Sequence, residues 1–447
     1  MLDRINSGIS QANRPAVSTE SGVRSKILIH VLNFFPEFIG VGKYAGELAF
    51  SLADKGHQVE VVTAPPHYPG WTVEAPYRAL RYARETIKGV DIWRCPILAK
   101  ANGGGLWRLL APLTFAAFAA PLVVFRILLT RPDVVVCVEP TLFSTPAALL
   151  AAKIVGARTI LHVQDLEVDA AFEVHLKGNR RRRIATAIER MLLRSFDLTV
   201  TISRKMREAL LRKGVEPRQC IVIRNWVDLQ AIKPLPADAP NAFRAELGLP
   251  ADKFVILYSG HIGKKQSLPV VLDAARLCQD RDDLHFVIAG EGPAKADLIE
   301  ANRDLKNVSF LPLQPSERFN DLLNLANLHV LPQAKNTADL MLPSKLGGML
   351  ASGRPVVATA DPETELGEIL RGSAYLTPPE DAVALAEAVR QASRADLSEM
   401  SQRSRELAKL LSDKPVLAEF AAAIVGAHRF GDADALDAVL QAAKAHG

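Results

Sequence analysis

The sequence predicts an α/β protein made of two doubly wound, Rossmann-like domains facing across a cleft. At 447 residues the chain is too long for one hydrophobic core, and two domains of about 200 residues each follow. Short apolar runs bounded by turn residues alternate with segments of helical period through both halves, the pattern of parallel strands joined by right-handed crossovers. Between the halves, Lys233-Pro-Leu-Pro-Ala-Asp-Ala-Pro240 is too rich in proline to sit in a sheet and reads as a linker over 233–240.

The elements follow in order. Residues 1–24 are polar and mixed in charge, without an apolar segment or small-residue cleavage site, and read as a disordered tail and not a signal peptide. The N-terminal domain, 25–232, opens with the apolar run Lys26–Leu32, followed by a helical period over Lys43–Lys55 and a strand at Gln58–Thr63. Valine and isoleucine runs predict strands at Asp133–Val138, Arg158–His162 and Leu198–Ile202, with helices at Thr145–Val155 and Arg183–Arg194. The C-terminal domain, 241–410, repeats the scheme with strands at Phe254–Ser259, Leu284–Ala289, Asn307–Leu311, Asn327–Leu331 and Pro355–Thr359. A helical segment, 411–447, is expected to pack back on the N-terminal domain. The uncharged window Leu109–Phe125 has 17 residues and carries Pro112 and Pro121. A spanning helix needs about 20 apolar residues, so a buried or interfacial helix is expected there.

Composition narrows the function. Net charge is +5, but residues 1–230 carry 31 Lys+Arg against 20 Asp+Glu while the remainder carries 23 against 29. Aromatics at 6% are not interleaved with the basic residues, which disfavours nucleic acid and favours a membrane surface or a phosphorylated acceptor. Cys95, Cys137, Cys220 and Cys278 form no C-x-x-C pair, so neither a zinc site nor a disulfide framework is indicated and a reducing cytosol is the expected setting. There is no nucleophile elbow and no H-E-x-x-H. Asp432-Ala-Asp434 lies in the C-terminal tail, where a metal role is not expected.

Leu342–Ala360, LPSKLGGMLASGRPVVATA, carries the most chemistry. Pro343 suits a first helical position, leaving the amides around Ser344 and Lys345 to face an anion, and Lys345 adds a formal charge in the same turn. A nucleotide diphosphate is expected here. Tyr258-Ser-Gly260-His261-Ile-Gly263-Lys264-Lys265, after the strand FVILYS, also suits a phosphate, with small residues and two lysines at a strand's carboxyl end. It is not a P-loop, since Tyr258 and Lys265 occupy the positions of its first glycine and its Ser/Thr. Gly40 and Gly42, after the first strand, let a backbone approach a ligand, but Ala45 at the third glycine position excludes a nicotinamide fingerprint. Ala289-Gly-Glu291-Gly-Pro293 reads as a tight turn. His162 and Asp165 stand at a strand end pointing toward the cleft, where hydrogen bonding or acid–base work is feasible; His57 reads as structural. Arg180, Arg181, Arg182 and Arg183 begin a helix whose dipole disfavours cations, so an anionic surface accounts for them better than helix stability does.

Taken in order, FPEFIGVGKYAGELA, GHQVEVVTAPPHYPGW, ARTILHVQDLEVDA, RNWVD, YSGHIGKKQSL, AGEGP and LPSKLGGMLASGRPVVA resemble the family 4 glycosyltransferases of the GT-B fold, over Lys26 to Ala423. Within that family the chain looks most like the colanic-acid-type exopolysaccharide fucosyltransferases. The resemblance implies a retaining, metal-independent hexosyl transfer that uses no cofactor. The donor is a nucleotide sugar, GDP-fucose being a candidate, and the acceptor a polyprenyl-diphosphate-linked oligosaccharide met at the inner face of the cell membrane. It assigns Gly40 and Gly42 to the donor phosphates, His162 to the transferred sugar, Lys264 or Lys265 to phosphate, and Ser344 with Lys345 to the donor loop, while Asp165 orients sugar or acceptor. Two departures stand out: His261 replaces the usual phosphate-binding arginine, and the family's paired glutamates fall at Leu340 and Gly348. A nucleotide-sugar epimerase of the same fold and a non-catalytic scaffold of polysaccharide assembly are the rival readings.

Overall fold

The computed structural model describes residues 24–100, 105–140, 142–165, 179–236, 239–263, 266–335, 342–426 and 436, with only the backbone at 105–106, 108–109 and 179–182. Two compact units divide the chain, Met1–Arg224 with Leu417–Asp432 and Asn225–Val416 with Ala433–Gly447.

The first unit runs β1 (Lys26–His30), α1 (Gly40–Asp54), β2 (Gln58–Thr63), β3 (Ala83–Ile87), β4 (Val90–Arg94), α2 (Gly105–Thr130), β5 (Val134–Glu139), α3 (Thr145–Val155), β6 (Arg158–Val163), α4 (Asn179–Leu193), β7 (Leu198–Thr201), α5 (Arg204–Arg212) and β8 (Cys220–Val222). Its sheet has the order β3-β4-β2-β1-β5-β6-β7-β8 and is parallel except where β3 pairs antiparallel with β4. All of β5 is buried, as its unbroken VVVCVE sequence requires of a central strand covered on both faces. The hairpin β3–β4 was not anticipated. Its strand ARETI is polar and largely exposed, and its signal is the turn Lys88-Gly89, where φ is +48° and +76° as a two-residue hairpin demands.

The second unit holds α6 (Ala242–Glu246), β9 (Phe254–Ser259), α7 (Leu268–Leu277), β10 (Leu284–Ala289), α8 (Lys295–Ala301), β11 (Val308–Leu311), α9 (Ser316–Leu325), β12 (Leu328–Leu331), α10 (Leu346–Ala351), β13 (Val356–Thr359), α11 (Glu365–Leu370), β14 (Ala374–Thr377), α12 (Ala382–Ala392) and α13 (Ser398–Leu410). Its parallel sheet has the order β11-β10-β9-β12-β13-β14. Chain direction across the sheets reverses between β1 and β5 in the first unit and between β9 and β12 in the second. Ligands of open α/β sheets bind beyond the strand ends at such switch points.

The structure corrects the sequence reading in three places. The boundary falls after Arg224, ahead of the expected 232, because Val227 donates from its amide to Leu411 O at 2.8 Å and packs with Leu346, Met349 and Leu350 in the second unit's core. The proline segment is not a free linker at its start: Lys233 N and Leu235 N donate to Asn320 Oδ1 and Asn324 Oδ1 of α9, each at 2.9 Å. Finally, α2 is a 26-residue helix, and its stretch Leu110–Thr130 is long and apolar enough to cross a membrane by length and composition. The proposed 1–24 tail lies outside the described residues except Arg24, whose Nε donates to Gly56 O at 2.8 Å.

The last helix, α14 (Asp413–Ile424), begins in the second unit and ends in the first. Within the first unit its end is held by Arg158, whose Nη1 donates to Ala423 O at 2.8 Å and Ile424 O at 3.0 Å. A cation on the last carbonyls satisfies groups the helix cannot pair itself and favours the negative end of its dipole. Arg158→Ala should therefore lower unfolding free energy by about 1–3 kcal/mol, measured by urea denaturation; an unchanged midpoint would show these bonds to be idle.

Candidate active site

In the second unit two loops leave the carboxyl ends of the neighbouring strands β9 and β10 and press together. Gly260 N donates to Ala289 O and Ile262 N to Glu291 O, both at 2.9 Å. The approach needs glycine: a Cβ on Gly290 would lie 1.8 Å from Gly260 O, and one on Gly292 2.2 Å from Ile262 O. Lys295 pins the second loop from behind, donating to Gly290 O at 2.9 Å and to Glu291 Oε1 at 2.7 Å. Glu291 is thus committed to shaping its turn.

Over these loops stands Lys345. Its Nζ donates to Tyr258 Oη at 2.8 Å and lies 4.1 Å from the centre of that ring, while Tyr258 Oη donates to His261 O at 2.5 Å. A Cβ on Gly260 would come within 3.1 Å of the ammonium. Among the described residues Lys345 pairs with no carboxylate, and burial pulls its pKa down from 10.5 to about 7. Desolvation disfavours the charged amine, and among the described residues only the Tyr258 hydroxyl and ring act against it. Such a group is poised to accept an anion.

Pro343 does not open the helix as expected. The carbonyl of Pro343 accepts from Leu346 N at 3.0 Å in a turn, and α10 starts at Leu346 and spans only six residues. The lysine side chain, more than a helix dipole, carries the positive charge here. Ser344 is exposed, and Pro343, Gly260 and His261 are partly exposed beside the same loops. Lys264 and Lys265 lie outside the described residues.

In the first unit Glu37 organises the strand ends. Its buried carboxylate accepts from Asn33 Nδ2 at 2.9 Å, His67 N at 2.8 Å and Tyr68 N at 2.9 Å, tying the loop after β1 to the loop after β2. A Cβ on Gly42 would lie 2.7 Å from Glu37 Cβ. Gly42 is therefore required by the glutamate beneath it. Gly40, with φ +60°, begins α1. Sequence reading passed over Glu37; its signal is an acid set among Phe34, Phe35 and Phe38 just before a Gly-x-Gly.

His162 is not at an open strand end. It is 1% exposed, its ring lies edge-on to Phe420 of α14 at 4.7 Å, and its Nε2 is 2.9 Å from Gln164 Nε2. Burial drives its pKa from 6.5 to about 3. Two residues on, where the strand has ended, Asp165 is partly exposed. Among the described residues no three His, Cys, Asp or Glu side chains converge as metal ligands. The sequence signal that Phe420 would cover His162 does not exist, since the two are brought together only by the fold.

Two family models match the chain, a glycosyl transferase 4-like domain over residues 40–226 and a glycosyl transferases group 1 domain over 253–394. The chain is also 40% identical, over 88% of its length and 98% of the relative's, to the colanic acid biosynthesis glycosyl transferase WcaI of Escherichia coli K12. The chain is a family 4 glycosyltransferase of the GT-B fold. Among solved structures, the glycosyltransferase is similar to sucrose-phosphate synthase from Thermosynechococcus elongatus, with a TM-score of 0.69 at 18% identity over 90% of this chain and 99% of that one. It is likewise similar to Anabaena Alr3699/HepE in complex with UDP-glucose, with a TM-score of 0.61 at 17% identity over 95% and 99%. These likenesses confirm the two parallel-sheet α/β domains.

Buried neutral histidines make the enzyme acid-sensitive. His162 and His329 are drawn down to about 3, and His30 to about 4, chiefly by burial. The unfolded chain protonates them below 6.5 and the folded one does not, so stability is complete above 6.5 and falls as pH drops, by about 1.4 kcal/mol per unit per histidine. His162→Gln should lower the melting temperature at pH 7 and flatten its decline between pH 6.5 and 5. A decline as steep as wild type would show that His162 does not titrate this way.

Proposed function

We propose that this glycosyltransferase moves a sugar from a nucleoside-diphosphate donor to a polyprenyl-diphosphate-linked oligosaccharide during exopolysaccharide assembly, with retention of configuration and without a metal, at the inner face of the cell membrane. The colanic acid role of its 40% identical relative supports the pathway class, and the family resemblance makes GDP-fucose the first donor to try. The observation that carries the reading is the partly buried Lys345 ammonium, stacked on Tyr258 and lacking a carboxylate among the described residues.

The chemical problem is a departing diphosphate. Lys345 sits beyond the end of β9, next to the switch point, where the glycine loops after β9 and β10 converge beneath it. A preorganised cation aimed at the β-phosphate stabilises the charge that develops as the glycosidic bond breaks, and loss of one such donor costs about 10²–10³-fold in rate. His261, Gly260, Ser344 and, on the resemblance, Lys264 or Lys265 complete the donor site. In the first unit, buried His162 supports the strand end through Gln164 and leaves Asp165 to meet sugar or acceptor.

Donor binding supplies the test. Below pH 7 the Lys345 amine is charged before the donor arrives; above it, binding must first recruit a proton. Affinity for the correct nucleotide sugar, found by thermal-shift screening and measured by calorimetry, should fall by up to about tenfold per unit as pH rises from 7 to 9. Lys345→Ala should weaken binding and abolish that slope. Unchanged affinity and slope in Lys345→Ala would remove the phosphate site. Transfer activity should also survive EDTA, as a lysine-based departure requires; a loss restored by magnesium or manganese would overturn the metal-free mechanism.

A further inference from the structure

Lys345 stands apart from other lysines of the molecule in what it bonds. Lys43, Lys213, Lys295 and Lys409 each meet a glutamate carboxylate at 2.7–3.3 Å. A carboxylate holds an amine in its protonated form, and a protonated amine has no electron pair to give. Among the described residues Lys345 meets a phenol instead, its Nζ 2.8 Å from Tyr258 Oη. That hydroxyl gives its own proton to His261 O at 2.5 Å, so it faces the lysine as an acceptor. The neutral amine satisfies it with one N–H and keeps its electron pair.

The surroundings admit a small electrophile. Gly260 brings no side chain to a place where a Cβ would come within 3.1 Å of the nitrogen. Lys345 is itself partly exposed, and Ser344 beside it is exposed. Of the charged groups on the neighbouring loops, Glu291 is held by Lys295 at 2.7 Å, while Lys264 and Lys265 lie outside the described residues. Burial brings the Lys345 pKa to about 7, so about half of these amines are neutral at pH 7, against about one in two thousand for an ordinary lysine. An amine that is uncharged, reachable and set where phosphate binds is a nucleophile toward any electrophile that carries a phosphate.

We propose that Lys345 is a site of acylation by small acyl phosphates, the phosphate group occupying the place assigned above to the donor's diphosphate and the acyl carbon meeting Nζ. The electron pair of Nζ attacks the carbonyl carbon and forms the N–C bond. The bond from that carbon to the bridging oxygen breaks, and phosphate leaves with its electrons and takes up the proton that the nitrogen sheds. The product is an uncharged amide with no cation for a diphosphate, so acylation switches off sugar transfer, and acyl phosphate and nucleotide sugar compete for one site. The reaction rests on the phosphate site of the proposed function, and the experiment keeps the two apart.

The test is exposure of the full chain to acetyl phosphate at pH 7, with the occupancy of each lysine followed by peptide mass spectrometry. Lys345 should acetylate at least about tenfold faster than the exposed Lys153 and Lys306. Its rate should saturate with acetyl phosphate, fall when inorganic phosphate is added, and level off above about pH 8 while the exposed lysines go on rising. Labelling by p-nitrophenyl acetate, which carries no phosphate, should ignore added phosphate. The acetylated enzyme should transfer sugar about 10²–10³-fold more slowly. Acetylation of Lys345 no faster than that of Lys153 and Lys306, or a linear rate that phosphate does not slow, would overturn the proposal; the donor reading would still stand if Lys345→Ala weakens nucleotide-sugar binding. Selective, phosphate-sensitive acetylation in a protein whose Lys345→Ala variant binds nucleotide sugar as tightly as wild type would uphold the acylation site and overturn its assignment to the donor.

Discussion

The central strands of both sheets are covered on both faces, and that constraint orders the rest of the molecule. Strands such as Val134–Glu139 and Leu284–Ala289 are buried along their whole length, so a charged or hydrogen-bonding side chain has no tolerable place in mid-strand unless it is neutralised. His162, His285 and His329 obey this by losing their charge. Groups able to handle an anionic ligand are displaced to the loops beyond the strand ends. In the second unit those loops converge because β9 and β10 are neighbours and glycine alone fits where their loops touch.

Lys345 shows what such convergence achieves. An ammonium brought out of water without a partner is costly, and the fold keeps it by stacking it on a tyrosine ring and giving it one hydroxyl. The arrangement leaves the site short of negative charge, which the diphosphate of the proposed donor would supply. In the first unit the corresponding loops are organised in the opposite sense, around a buried carboxylate that satisfies three donors. One unit thus presents a cation without a carboxylate partner among the described residues, and the other a carboxylate whose hydrogen bonds are already made.

The helices of the first unit divide their apolar residues between two duties. The stripe of α2 from Ala111 to Ile127 closes the core, and its other face, with those of α3 and α4, is left to the surroundings. This explains why the segment reads as ambiguous in sequence: a helix apolar all round satisfies the test for a core helix and that for a membrane helix alike. Which faces are covered is decided by the sheet beneath it.

The sequence by itself determined the succession of strands and helices, the two-domain α/β class, the glycine turns after β9 and β10, and Lys345 as a phosphate candidate, because each is written in local pattern: apolar runs, helical period, turn residues. It missed β3, whose edge position permits polar residues, and the short mixed strands β4, β8 and β14. It began α10 too early, because Pro343 caps a turn as readily as a helix. Only the tertiary structure set Lys345 on Tyr258, 87 residues away, buried His162 under Phe420, and placed Glu37 against Gly42. Long-range packing leaves no periodic trace in either partner. The same reason moved the unit boundary to Arg224: Val227 belongs where Leu411 and Leu346 receive it, and nothing near Val227 in the chain says so.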